Sequence, residues 1–162
     1  MSTNFEHSVS FPFSAKDYWD LVSSEQYWRE LLAATNSDHG RLESLTVDGD
    51  EATVVTHQGV SEENLPKALT AVRPGDVEIP RTCVFKLSGD TVIGRMEATV
   101  NGAPAKITGD IIVSGDPASV QYTGAAEVSI PFVGGRVEKA IIEQIVHLLN
   151  AEHDATVDFH QG

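Results

Sequence analysis

His57 and Tyr122 are the side chains of this sequence with the clearest capacity for acid–base chemistry. His57 lies in a strand-like stretch, on the same alternating face as Thr53 and Val55, and we expect it to point into the protein. An imidazole and a phenol hydroxyl that meet inside a cavity could transfer a proton to and from a bound substrate. The same two residues could also be hydrogen-bonded core or rim residues. The sequence leaves both interpretations open.

Arg81 is in register with Cys83 and Phe85, two residues that we expect to face inward. A guanidinium inside a protein is costly unless it pairs with an acid or binds a ligand carboxylate. Because Arg81 stands near the start of a strand, it could instead reach a cavity mouth or solvent. Cys83 is interpreted as a small buried apolar residue, since no group that would activate its thiol can be identified.

The sequence predicts no metal site, no cofactor and no assigned catalytic residue. Of its six histidines, His147 and His153 fall on different faces of a predicted helix, and His160 follows in the tail. The motifs GxSxG, HExxH, CxxC and GxGxxG and the Walker loop are all missing from the sequence.

Composition narrows the possible partners. The 162 residues carry a formal net charge of −13, which disfavours binding to nucleic acid and to anionic membrane surfaces. A single cysteine excludes an internal disulfide, and no signal peptide or membrane-spanning segment is evident. We therefore expect one cytoplasmic domain over residues 1–162. The charge does not exclude an apolar ligand held inside.

The hydrophobic pattern predicts an α+β fold with an antiparallel sheet. A first strand at 4–11 precedes two short helices, at 15–22 and about 25–34, the first opened by Ser14 and Asp17 in a capping-box spacing. Six strands separated by turn signals follow. Between the third and fourth strands of the chain, residues 61–76 contain a short helix at about 65–72 and could form either a mobile lid or a plain connection.

The final helix is predicted at about 136–153, after the strand-like "SIPFVGG". The two glycines, 134 and 135, are interpreted as a turn and helix cap, and Glu138 as a first-turn acid that suits the helix dipole. Val137, Ile141, Ile145 and Leu148 share one broad apolar face. That face could pack directly on the sheet or form the roof of a cavity.

Three predicted strands carry small residues in the middle of their apolar faces. Gly94 and Ala98, Gly109, and Gly124 and Ala126 interrupt rows of larger aliphatic residues. Such residues can let a sheet coil sharply, with large side chains opposite filling the gaps. They can also leave room for an apolar ligand.

The element order, together with "IPFVGGRVEKAIIEQIVHLLNAEHDATVDF" and "NLPKALTAV…VEIPRTCVFKL", resembles the START-like (SRPBCC) superfamily, which includes the birch-pollen-allergen and polyketide-cyclase-like proteins. More narrowly, it resembles a bacterial START-like family of unknown function. The resemblance implies a helix-grip fold, in which a curved seven-stranded antiparallel sheet wraps around the C-terminal helix and encloses a deep cavity. Members bind lipids, sterols or polyketides, and some catalyse cyclisation or hydrolysis.

We therefore expect the protein to bind a small hydrophobic molecule, as a carrier or sensor. The alternatives are a cyclase- or hydrolase-type enzyme that uses His57, Tyr122 or Arg81, and a ligand-free module for an unidentified protein partner. The residues predicted to contact the ligand are Phe85, Cys83, Gly94, Met96, Ala98, Gly109, Ile111, Tyr122, Gly124, Ala126, Ile141, Ile145, Leu148, His57 and Arg81.

Overall fold

The computed structural model describes residues 2–36, 39–72 and 74–162, which form seven strands and four α-helices. In chain order these are β1 (Ser2–Ser10), α1 (Ala15–Val22), α2 (Glu25–Thr35), β2 (Arg41–Asp48), β3 (Glu51–Val60), α3 (Lys67–Val72), β4 (Val77–Ser88), β5 (Thr91–Thr99), β6 (Ala105–Gly115), β7 (Ala118–Val128) and α4 (Gly134–Gln161). A short 3₁₀ helix, Glu62–Asn64, precedes α3. Residue 73, in the segment 61–76 that could form a lid or a plain connection, lies outside the described residues.

The strands form one antiparallel sheet in the order β1-β7-β6-β5-β4-β3-β2. Strands β2 to β7 follow one another as a meander, and β1 pairs with β7 at the opposite edge from β2. Burial alternates along the strands: in β5, for example, the even-numbered residues from Val92 to Ala98 are buried. The curved seven-stranded sheet and the long C-terminal helix confirm the predicted α+β helix-grip fold.

The first helix after β1 begins where the Ser14 capping spacing predicts, and the second also begins after a capping serine. The Ser14 side chain accepts a hydrogen bond from the Asp17 backbone N–H at 3.1 Å, and Ser24 accepts one from the Tyr27 N–H at 3.4 Å. Each cap satisfies a backbone donor that the first helical turn leaves free. Local sequence is therefore enough to set the start of both helices.

Helix α4 is longer than predicted at both ends. It begins at Gly134, so the double glycine forms its first turn and does not precede it. A Cβ on Gly134 would stand 2.7 Å from the Val128 carbonyl oxygen, a close approach that requires glycine. At the other end the helix continues to Gln161, because Thr156 and Phe159 pack against Tyr27 of α2.

Helix α4 packs mainly against β1, β7 and α2. It runs along β1 in the same direction, with Glu138 bonded to Thr3 near its beginning and His153 bonded to the Ser10 carbonyl further on. Its close contacts with the sheet are thus at the edge formed by β1 and β7. The inner face of β3, β4 and β5 is left to be covered by other groups.

Candidate functional site

A cavity of about 460 Å³ lies between α4 and the inner face of β3–β6. Besides α4, it is bordered by the end of α2 and by the connection between β3 and β4. The sheet and α4 supply most of its lining: Gln58, Gly59, Val60, Val77, Ile79, Arg81, Met96, Ala98, Val100, Ile107, Ile141, Gln144, Ile145, His147, Leu148, Leu149 and Ala151. Its volume lies within the range of roughly 300–1,000 Å³ that is usual for small-molecule sites.

The lining is mainly aliphatic. Among the described residues that border the cavity there is no phenylalanine, tyrosine or tryptophan. Aliphatic side chains rising from β4, β5 and β6 do not reach as far as rings would, and α4 leans toward β1 and β7 instead of closing over them. The space therefore stays open because of side-chain size and helix placement.

The cavity opens to solvent beside the middle of α4. Gln144, His147 and Ala151 border it and are exposed, as is Asn64 on the opposite side. The Asn36 side chain fixes part of the rim, because it donates to the Gly59 carbonyl at 3.0 Å and accepts from the Gly59 N–H at 2.9 Å. These two bonds tie the end of α2 to the end of β3.

Six of the residues predicted to contact a ligand border this cavity. They come from three elements and meet across the space between the sheet and the helix: Arg81, Met96, Ala98, Ile141, Ile145 and Leu148. Phe85, Ile111 and Tyr122 border a separate space of only about 20 Å³, which Arg81 also borders. Such a space holds little more than one water-sized molecule.

Cys83, Gly94, Gly109, Gly124 and Ala126 border neither space. The expectation that the mid-sheet glycines leave room for a ligand is wrong where aromatic rings cover them. A Cβ on Gly94 would meet the Phe85 ring at 3.0 Å, and one on Gly124 would meet the Phe5 ring at 2.9 Å. Cys83 and Ala126 are fully buried. At these positions large side chains fill the gaps, as expected if the small residues serve the coiling of the sheet.

His57 lies on the outer face of the sheet, and the expectation that it points inward is wrong. Its Nε2 lies 2.7 Å from Glu43 Oε1, and its Nδ1 lies 2.9 Å from Glu78 Oε1. In β3 the buried residues are those of the other face, including Thr56 and Gln58. Because Thr56 and Gln58 are polar, the sequence did not indicate that their side of the strand faces inward. As a result, His57 and Tyr122 do not form an acid–base couple.

Several cavity residues were not predicted from the sequence. Gln58 and Gly59 of β3, Leu65 and Leu69 of the connection, and Ile107 of β6 are examples. Ile107 could have been predicted, since it lies on the same apolar face of β6 as Ala105 and Gly109. Gln58 could not, because a polar residue at the end of a strand is normally exposed.

Arg81 and Glu152 form a buried ion pair at the inner end of the cavity. Arg81 Nη1 donates to Glu152 Oε2 at 2.8 Å, and the two side chains are only 9% and 11% exposed. Burial by itself would lower the pKa of the Arg81 guanidinium, but the Glu152 carboxylate more than offsets this and raises it. The guanidinium therefore stays charged, and Arg81 borders both the cavity and the small space beside it.

Three tyrosines gather on the far side of this pair. Tyr18, Tyr27 and Tyr122 border the small space, and the Tyr27 hydroxyl is 2.8 Å from Thr156 Oγ1. Burial raises the pKa of all three phenols above the ordinary value, and it also raises that of the Cys83 thiol. At neutral pH these groups are uncharged, so they supply hydrogen bonds and no ready base or nucleophile.

Glu138 has a structural role different from the one predicted. It is fully buried, accepts a hydrogen bond from Thr3 Oγ1 at 2.7 Å, and accepts one from the Val128 backbone N–H at 2.9 Å. The carboxylate thus joins β1, the end of β7 and α4. It acts as a clamp between elements and not as a first-turn partner of the helix dipole.

In the described part of the chain, no three His, Cys, Asp or Glu side chains gather in a way that could hold a metal ion. None of the helices described is both long and apolar enough to span a bilayer.

A family model described as "Protein of unknown function (DUF2505)" matches residues 6–159. An uncharacterized protein of Mycobacterium tuberculosis is 30% identical over 171 residues, which cover 96% of this chain and 95% of that protein.

Two solved structures have a similar fold at low sequence identity. The Zhui aromatase/cyclase from Streptomyces sp. R1128 matches with a TM-score of 0.57 and 12% identity, over 99% of this chain and 94% of that chain. Norcoclaurine synthase from Thalictrum flavum matches with a TM-score of 0.56 and 16% identity, over 99% of this chain and 87% of that chain. These similarities confirm the START-like fold.

Proposed function

This chain belongs to the protein family of unknown function DUF2505, and we propose that it binds a small hydrophobic molecule in the cavity between its sheet and α4. The observation that carries the proposal is the cavity itself, about 460 Å³ in volume and bordered mainly by aliphatic side chains. Small-molecule sites are typically concave and mainly apolar, with volumes in this range. The opening of the cavity beside α4 supplies a route for the ligand.

The fold alone does not choose between binding and catalysis. Two structural neighbours are by name an aromatase/cyclase and a synthase, so this fold accommodates enzymes that act on small organic molecules. In the present chain the predicted acid–base couple is divided between the two faces of the sheet. The buried tyrosines lie behind the Arg81–Glu152 pair, away from the large cavity. We therefore favour a carrier or sensor over a cyclase or hydrolase.

The setting of this activity is part of the same proposal. Residues 1–162 would act as one binding domain in the cytoplasm. The single cysteine suits a reducing compartment, and the strongly negative net charge favours a ligand without phosphate-like groups.

Filling the cavity from the sheet side tests the proposal. Ile107 and Ile112 both belong to β6, but Ile107 borders the cavity whereas Ile112 is 48% exposed on the outer face. Ile107→Trp adds bulk inside the cavity, and Ile112→Trp adds the same bulk outside. We expect wild type and Ile112→Trp to bind the uncharged fluorescent dye Nile red, and Ile107→Trp to bind it at least about tenfold more weakly.

Native mass spectrometry of the purified protein, followed by solvent extraction, provides the second measurement. An apolar molecule that co-purifies with wild type and is lost from Ile107→Trp would support the proposal. Wild-type protein that neither carries an apolar molecule nor binds Nile red would contradict it. Thermal unfolding of the three proteins distinguishes lost binding from lost structure.

A further inference from the structure

The side-chain amide of Gln58 is buried at the cavity and has no partner in the protein. Gln58 is 5% exposed, borders the large cavity and faces inward from β3. Among the described residues, none forms a hydrogen bond with its Nε2. A buried donor without an acceptor is expensive, so natural structures rarely keep one without a reason.

A second unpaired donor lies next to it. Arg81 pairs with Thr56 across β3 and β4, and Gln58 pairs with Ile79, so Gln58 and Arg81 are diagonal neighbours on the inner face. Arg81 Nε also lacks a hydrogen-bond partner within the described part of the chain, although its Nη1 donates to Glu152 and the guanidinium also interacts with the Cys83 thiol. Two neighbouring residues that border the cavity therefore each keep a buried N–H donor without a partner.

We propose that the ligand carries an uncharged oxygen acceptor, such as an alcohol or a ketone, that is bound by the Gln58 amide and the Arg81 Nε. This inference rests on the proposed binding function and specifies the chemical class of the ligand. The terminal torsion of a glutamine side chain is broad, so the amide can turn toward the ligand at little cost. An oxygen acceptor would satisfy both donors that the protein leaves unpaired.

The charges at the site favour a neutral acceptor over a carboxylate. The positive charge of Arg81 is already paired with Glu152, 2.8 Å away. A ligand carboxylate would therefore be repelled by Glu152 and would find no unpaired positive charge to bind. Gln58 itself is neutral. The overall charge of −13 further disfavours an anionic ligand.

Gln58→Leu removes the amide and keeps approximately the same volume. The probes are decane, decanol, methyl octyl ketone and decanoate, which share a hydrocarbon chain and differ in the polar group, each measured by displacement of Nile red. We expect Gln58→Leu to weaken the binding of decanol and of methyl octyl ketone about tenfold. The same variant should bind decane as tightly as wild type does, or more tightly. In wild type, decanoate at neutral pH should bind at least about tenfold more weakly than decanol.

Thr56→Val is the matched control. Thr56 is buried on the same face of β3 but does not border the cavity, so this variant should leave the binding of all four probes unchanged. Gln58→Leu should also raise the melting temperature of the unliganded protein by roughly 2–4 °C, because an unpaired buried amide is removed. A purely structural role for Gln58 would give the opposite shift.

The outcomes distinguish this inference from the function on which it rests. If decane binds but Gln58→Leu changes the affinities for decanol and decane equally, the inferred oxygen acceptor is wrong. The cavity would then still bind apolar molecules. Tighter binding of decanoate than of decanol would likewise overturn the neutral acceptor. If none of the four compounds displaces Nile red, or Nile red itself does not bind, the proposed function fails first.

Discussion

The space between the sheet and α4 has two ends that differ in how the sheet is covered. At one end, here called the aromatic end, rings from β1, the β1–α1 connection, α1, α2 and β4 fill the space: Phe5, Phe11, Tyr18, Trp28 and Phe85. At the other, here called the cavity end, aliphatic side chains such as Met96 and Ile107 leave about 460 Å³ open. Both ends use the same sheet and the same helix.

The difference shows that small residues do not by themselves make a cavity. Gly94 and Gly124 lie at the aromatic end, and each is covered by a ring from a neighbouring strand. At the cavity end, Ala98 is the small residue that borders the open space. What decides the outcome is whether an aromatic side chain stands opposite, since a ring fills the volume that a small residue vacates.

The boundary between the two ends gives the largest expected effect. Glu152→Leu leaves the Arg81 charge buried without its partner, and we expect the free energy of unfolding to fall by about 3–5 kcal/mol. Urea unfolding at neutral pH measures this. The double variant Arg81→Met/Glu152→Leu removes both charges and should recover most of the loss. A single variant as stable as wild type would mean that the pair is solvated and that the two ends are not separated.

Truncation at each end tests the comparison directly. Phe85→Ala at the aromatic end should lower the free energy of unfolding by about 3 kcal/mol or more, because it empties a packed site. Leu148→Ala at the cavity end should cost about 1 kcal/mol, because Leu148 is half-buried and already borders an open space. Chemical denaturation of both variants supplies the measurement. Equal losses would show that the cavity end is packed as tightly as the aromatic end.

Alkaline pH should weaken the aromatic end selectively. Burial raises the pKa of Tyr18 and that of Cys83 in the folded state, so the unfolded chain loses these protons at lower pH than the folded protein does. Their contribution is therefore complete below the unfolded pKa values of about 9 for Cys and about 10 for Tyr, and it is lost as the pH rises above them. Stability measured by urea unfolding should fall through this window.

Tyr18→Phe should reduce that fall by about 1.4 kcal/mol for each pH unit above 10. Leu148→Ala is the control, because it removes no titrating group and should keep the wild-type slope. Parallel slopes for wild type and Tyr18→Phe would contradict the buried state of this phenol.

Much of the fold could be predicted from the sequence, whereas the site could be predicted only in part. The Ser14 cap, the alternation in β5 and the turn signals each act over a few residues, so the element order follows from local patterns. The C-terminal end of α4 could not be predicted from local patterns, because its last turns are held by Tyr27, more than a hundred residues earlier in the chain. Contacts of that kind leave no local signal.

The placement of β3 illustrates the same limit at the site. At the end of β3 one face carries His57 and the other carries Gln58. Both residues are polar, so the sequence there does not indicate which face is buried. The choice between them is made by pairing with β4, which places Gln58 beside Ile79 and Arg81. A shift by one residue would exchange every side chain between the two faces.

The amino-acid sequence by itself determined the antiparallel sheet, the caps of the short helices and the broad apolar face of α4, because each depends on the spacing of neighbouring residues. Only the tertiary structure decided which small residues are covered and which remain open. Phe5 reaches Gly124, and Phe85 reaches Gly94, across paired strands, while no ring reaches Ala98 among the residues described at the cavity. Volume is a property of side chains that meet from distant parts of the chain, so it emerges only when the strands and α4 pack together.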